Sequence, residues 1–199
     1  MVTMSSSAMN EKFVQYLNEA LAMENAAVDR IQYRINDTPI EETKQQLQYH
    51  LEQTFEQQGR LRNAITKLGG SPTTAKAVLP KLTPMDMDTI SNTVKEAAKS
   101  LVSSESKNSM DAEKELIQTK EDAIIESAEL VSYKTLILMA QEVGLMDAVP
   151  LLNKSLQEET SMVNFIMGNT PTVLRLMLPQ IEARDDSSNK KKMVQAEVP

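Results

Sequence analysis

Cysteine is absent from this chain of 199 residues. Its absence excludes disulfides, thiolate metal ligands and a cysteine nucleophile, so any metal must be held by oxygen and imidazole, and it fits a reducing cytosol. Tryptophan is missing too, and only three Phe, five Gly and eight Pro are present. So few aromatic residues disfavour strands, and the sequence contains neither a glycine-rich phosphate loop nor a nucleophile-elbow motif. Positive charge is in short supply: 21 Lys and Arg stand against 28 Asp and Glu, a net charge of −7. A nucleic-acid surface needs clustered cations to neutralise phosphates, so no nucleic-acid partner is expected. There is no run of about eighteen apolar residues to span a membrane. Residues 1–9 have no basic stretch followed by an apolar one, so they do not read as a secretory signal. The cytoplasm is the expected location.

What the chain does have in quantity is Ala, Leu, Met, Glu, Gln and Lys, all strong helix formers, and the expected fold class is all-α. The 13 Met residues fall at helical spacing and read as adaptable core filling. Three Thr-Pro pairs, at Thr38-Pro39, Thr83-Pro84 and Thr170-Pro171, each offer a capping hydroxyl followed by a residue preset for the first helical turn. Glu41 completes a capping box with Thr38. Gly69, Gly144 and Gly168 lie just past periodic stretches, where a helix cap is expected. These signals predict helices over 9–36, 39–68, 84–103, 109–143, 147–167 and 170–183.

Short turns make antiparallel hairpins of the first and second helices and of the fourth and fifth. About forty residues separate the hairpins, including a Pro-rich stretch and the helix at 84–103. Short, long and short connections match the ferritin-like form of the four-helix bundle, here with an extra helix in the crossover and a short C-terminal helix. The expected organisation is a disordered N-terminus at 1–8, one helical domain at 9–183 and a disordered tail at 184–199.

The inward faces carry the chemistry. Leu17, Leu21, Glu24, Val28, Ile31 and Ile35 follow steps of four and three, so they share one face of the first helix, and the carboxylate of Glu24 interrupts it. Burying a carboxylate costs several kcal/mol, by order of magnitude about 3–5 if it stays unpaired, so it needs a partner. The same rotation places His50, the only histidine, within the stripe Leu47, Leu51, Thr54, Leu61, Ile65 and Leu68. Glu126 and Glu129 lie on the face of Tyr133, Ile137 and Ala140. Glu159 lies at the centre of the stripe Leu152, Leu156, Val163 and Ile166, with Glu158 turned away. All five polar residues fall near the middles of their helices, so antiparallel packing brings them into one layer. Lys44, Arg62, Lys120, Lys134 and Lys154 project sideways or outward, and Arg34 lies at a stripe's edge nearly three turns away. Four carboxylates with one imidazole and no basic partner suit Fe, Mn or Zn.

At these residues the chain resembles the YciE/YciF-like family of ferritin-like proteins. The carriers are Ala22-Met23-Glu24, His50-Leu51-Glu52-Gln53-Thr54, Glu126-Ser127-Ala128-Glu129 with Ser132-Tyr133-Lys134-Thr135-Leu136, and Leu151-Leu152 through Leu156-Gln157-Glu158-Glu159. The resemblance implies a ferritin-like bundle linked to stress responses. The family pattern on the fourth helix is Glu-His-x-Glu, where this chain has Ser127. Val163 stands where the family usually supplies an Asp, and Phe55 where some members have a second His.

Two function classes follow. One is a metal-binding ferritin-like protein with Glu24, His50, Glu126, Glu129 and Glu159 holding one or two Fe or Mn ions, whose natural activity is redox chemistry with oxygen or peroxide. Tyr133, one turn beyond Glu129, is a candidate hydrogen-bond donor to that site. The other is a structural or interaction protein on a degenerate ferritin-like scaffold, motivated by Val163. Bundles of this type often self-associate, and a homodimer is expected.

Overall fold

The computed structural model describes the backbone of residues 6–82 and 106–196, and side chains over 7–82 and 114–176. The predicted crossover helix at 84–103 lies outside the described residues. Four helices are described: α1 Ser6–Asp37, α2 Glu41–Lys67, α3 Ser106–Glu142 and α4 Val149–Ala196. The fold is the ferritin-like four-helix bundle. Its residues form two compact units, Met1–Pro80 with Asp122–Met167, and Lys81–Glu121 with Gly168–Pro199, so α3 and α4 each contribute to both.

The first unit contains two apolar cores. The larger is built from Phe13, Leu17 and Leu21 of α1, Leu61 and Ile65 of α2, Tyr133, Leu136 and Ala140 of α3, and Leu152 of α4. The smaller gathers Ala27 and Ile31, Leu47, Met162 and Ile166, with Ala123 against them. Each side chain of this size stabilises the fold by about 1.5–3 kcal/mol when fully buried, so the two cores together hold the helices. Chain order through the cores gives the topology. α1 and α4 run from the larger core to the smaller, α2 and α3 from the smaller to the larger. The α2–α3 connection therefore has to travel the length of the bundle, which the two hairpin turns do not.

The described part of that crossover is laced to α1. Asn18 donates to the carbonyl of Ser71 at 3.2 Å and accepts from the amide of Thr73 at 2.7 Å. Further along, Asn25 donates to the carbonyl of Ala75 at 2.9 Å. Two side-chain amides thus satisfy backbone groups of a segment with no ladder of its own.

Both hairpin helices end as expected at Gly69 and Gly144, which adopt φ of 77° and 75°. Each closes a double C-terminal cap: Gly70 N–H to Ile65 O with Gly69 N–H to Thr66 O, and Leu145 N–H to Ala140 O with Gly144 N–H to Gln141 O. Gly70 also fits where a side chain would not, because a Cβ there would lie 2.6 Å from Val14 Cγ1.

Four local expectations are corrected. The Thr38 capping box does not form, since α2 begins at Glu41 after an extended Ile40, and Thr38 Oγ1 instead accepts from the amide of Ile40 at 3.3 Å. Gly168 and Pro171 do not divide two helices, because α4 is continuous from Val149 to Ala196. A proline inside a helix removes one backbone bond and costs about 3 kcal/mol. Burial of Asn169 and Val173 on either side of it favours continuation. The same helix covers most of 184–199, where the sequence predicted no regular structure, and α1 already begins at Ser6. In the second unit, Leu82 N–H donates to Glu121 Oε1 at 2.6 Å.

Candidate metal centre

Between the two cores lies a polar layer. Glu24, His50, Thr54, Gln57, Glu126, Glu129, Ser155 and Glu159 are all buried there. Each helix contributes to it at the point where its stripe passes from one core to the other, so the periodicity that builds the cores also aims these groups inward.

His50, Glu126 and Glu159 converge: one ligand atom from each lies within 4.8 Å of the others. His50 Nε2 is 2.9 Å from Glu126 Oε2 and 3.6 Å from Glu159 Oε2. The first contact is close without being aligned as a hydrogen bond, because Glu126 Oε2 has no aligned donor. The other ring nitrogen, Nδ1, lies 3.3 Å from Gln53 Oε1. Glu24 and Glu129 share the layer without joining that trio. Tyr133 donates its hydroxyl hydrogen to Glu24 Oε1 at 2.5 Å. Glu129 Oε1 is buried with no donor, as is Glu159 Oε2. Three carboxylate oxygens in the layer therefore lack a hydrogen-bond donor, although an unpaired buried acceptor costs about 1–3 kcal/mol.

The electrostatics follow from this crowding. Burial pushes the Glu24 carboxyl up to about 8, against the Tyr133 hydrogen bond and the pull of His50. Burial opposes the charged His50 ring, yet Glu126, Gln53 and Glu24 outweigh it and raise the ring to about 9. Burial also works to raise Glu126, but His50 holds it below the ordinary carboxylate range. Burial and neighbouring carboxylates drive Glu129 and Glu159 well above that range. His50 and Glu126 thus form an imidazolium–carboxylate pair, and the remaining carboxyls hold protons where cations would otherwise stand.

The sequence pattern did not single out Gln57 or Arg60, and it turned Glu158 outward. Gln57 is fully buried and donates from Nε2 to Glu159 Oε1 and to Glu158 Oε2, the latter at 3.1 Å. Glu158, expected to point away, is buried and bonded by both terminal nitrogens of Arg60. A position 100° from the stripe's centre faces the α2–α4 seam there, and Arg60 fills that seam from α2. A basic partner therefore stands next to the layer after all. Arg34 is also buried, 2.6 Å from Asp122 Oδ2, with Arg30 Nε 2.8 Å from Oδ1. Residue type marks Gln57 weakly, but its step of seven from His50 on one face would have found it.

Residues 8–176 match the model of a family described as a domain of unknown function, DUF892. The chain belongs to that family. No protein of curated function matched the sequence. Among solved structures, this DUF892 chain is similar to a protein from Xanthomonas campestris, with 20% identity, TM-score 0.64, and 88% of this chain and 99% of that one covered. The Escherichia coli stress protein YciF matches with 20% identity and TM-score 0.59 over 84% of this chain and 97% of its own. A Bacillus anthracis protein described as ferritin-like and diiron-carboxylate matches with 15% identity and TM-score 0.63, over 84% and 99%. At these identities the likeness carries the fold. No helix among the described residues is long and apolar enough to cross a membrane.

Proposed function

We propose that this protein binds one or two Fe or Mn ions in the polar layer, with Glu24, His50, Glu126, Glu129 and Glu159 as the ligand set. The observation that carries the reading is the trio of donor-less buried oxygens on Glu126, Glu129 and Glu159 beside His50 Nε2. A hydrogen-bonded structural layer would have met those oxygens with donors, and oxygen with imidazole is the donor set that Fe, Mn and Zn accept. A bound redox-active ion would supply chemistry with oxygen or peroxide, and the likeness to the stress protein YciF favours a stress-linked role.

The chain's own groups have defined parts in this reading. His50 and the protonated carboxyls release their protons as cations enter, so binding is coupled to pH. Tyr133 fixes the orientation of Glu24 through its hydroxyl. The apolar cores above and below exclude water from the layer.

A second reading, a degenerate scaffold without metal, draws on Val163, which is only partly buried and offers no oxygen. Metal analysis after reconstitution with Fe(II) or Mn(II) separates the two. The metal reading expects about one or two equivalents per chain and a raised melting temperature, whereas less than about 0.1 equivalent with unchanged melting would sink it.

A further inference from the structure

We infer that Gln57 is a positioning residue for the metal centre: its side-chain amide fixes which oxygen of Glu159 faces His50 and Glu126, and the Arg60–Glu158 pair fixes the amide. The inference rests on the metal-binding reading above.

The geometry has three links. First, Gln57 Nε2 donates to Glu159 Oε1, leaving Oε2 as the oxygen that faces His50 Nε2 at 3.6 Å. A carboxylate whose one oxygen is held by a donor presents the other as a single ligand, so Gln57 sets both the direction and the number of oxygens Glu159 offers. Second, Nε2 also donates to Glu158 Oε2 at 3.1 Å, so one amide joins two consecutive residues of α4. Both of its hydrogens are used. Glu158, bonded to Arg60, is the charged partner, so the reverse orientation would set the amide oxygen against its negative charge. The observed one leaves Gln57 Oε1 buried without a donor, and the charge-assisted bond to Glu158 together with the bond to Glu159 holds it there. Third, Glu158 is itself anchored. Arg60 Nη1 reaches Glu158 Oε1 at 3.3 Å and Nη2 bonds Oε2, while Lys154 Nζ stands 3.6 Å from Oε1. The line from Arg60 through Glu158 and Gln57 to Glu159 thus ties the seam between α2 and α4 to the layer.

This arrangement explains why a buried Gln lies two helical turns from His50 on the same face, where an apolar residue would pack at lower cost. It also explains why Glu158 and Glu159, adjacent in sequence, fare differently. One is neutralised by a guanidinium and becomes a brace, and the other keeps a free oxygen.

The test uses Co(II) as probe on the full chain, following its visible absorption and its affinity. Gln57→Leu keeps the volume and removes both donors. It should weaken Co(II) about 10- to 100-fold and shift the absorption bands, because Glu159 is no longer held to one oxygen. Arg60→Met should give a smaller loss and band shift in the same direction, and Gln57→His, which restores an N–H donor, should recover part of both. Co(II) affinity and spectrum unchanged in Gln57→Leu would overturn the inference. If Gln57→Leu fails to fold, Arg60→Met decides, and unchanged affinity and bands there would overturn it equally. Failure of the unsubstituted protein to bind Co(II), Fe(II) or Mn(II) is a different result, and it removes the metal-binding reading itself.

Discussion

Two of the places where the first unit buries carboxylates handle them in opposite ways. At Asp122 each oxygen meets a guanidinium: Arg30 on Oδ1 and Arg34 on Oδ2. In the layer around His50, Glu126 Oε2, Glu129 Oε1 and Glu159 Oε2 have no aligned donor; Glu126 is held ionised only by His50, and protons stand in for the missing positive charge at Glu129 and Glu159. In the first, burial holds the Asp122 carboxyl above its ordinary range, but both oxygens have donors from the chain's own residues. The second lacks them, and that separates a buried ion cluster that fastens helices from a set of groups suited to a cation from outside.

The comparison can be broken most severely at Asp122. Asp122→Ala leaves two arginines facing each other without their carboxylate, and urea unfolding should show a loss of about 3–5 kcal/mol whether or not metal is present. The layer should respond differently. Glu129→Gln resembles the protonated carboxyl already favoured there, so metal-free stability should hardly change. The substitution should instead abolish the metal-dependent gain, about 2.7 kcal/mol at a hundredfold excess of ion over Kd, as read by thermal unfolding with and without Mn(II).

The pH dependence sharpens the contrast further. Glu24 and His50 have folded values near 8 and 9, both above their unfolded values of 4.5 and 6.5. Raised values mean that folding favours the protonated forms. Their contribution is complete below the unfolded values and is lost as pH rises through about 8 for Glu24 and about 9 for His50. In the presence of a chelator, the urea midpoint should therefore fall as pH rises across that window. Mn(II) should restore it increasingly, since cations replace protons. A flat or rising profile without metal would contradict the charge assignment. The smallest effect belongs to an exposed pair outside both sites: breaking Lys76–Asp29 by Lys76→Ala should cost no more than about 1 kcal/mol in the same assay.

Much of this was legible in the sequence because one period governs it. Steps of three and four placed Glu24, His50, Glu126, Glu129 and Glu159 on inward faces, and glycine at 69 and 144 marked the ends of α2 and α3. The Arg60–Glu158–Gln57 brace was not legible. It lies at the seam between two helices, and a residue's angle to its own stripe does not say whether solvent or a neighbour fills that side. Arg34 misleads for the same reason, since a stripe edge becomes interior when Asp122 of α3 packs against it. The junction at Gly168 and Pro171 shows the limit of local punctuation: capping signals mark where a helix can stop, and burial of Asn169 and Val173 favours continuing it.

An anomalous-scattering map from crystals grown with Mn(II) decides whether the layer is a cation site. A peak is expected in the layer, bonded to His50 Nε2, Glu126 and Glu159. A map with no peak there, with His50 still against Glu126 and Gln57 still against Glu159, would contradict the cation-site reading.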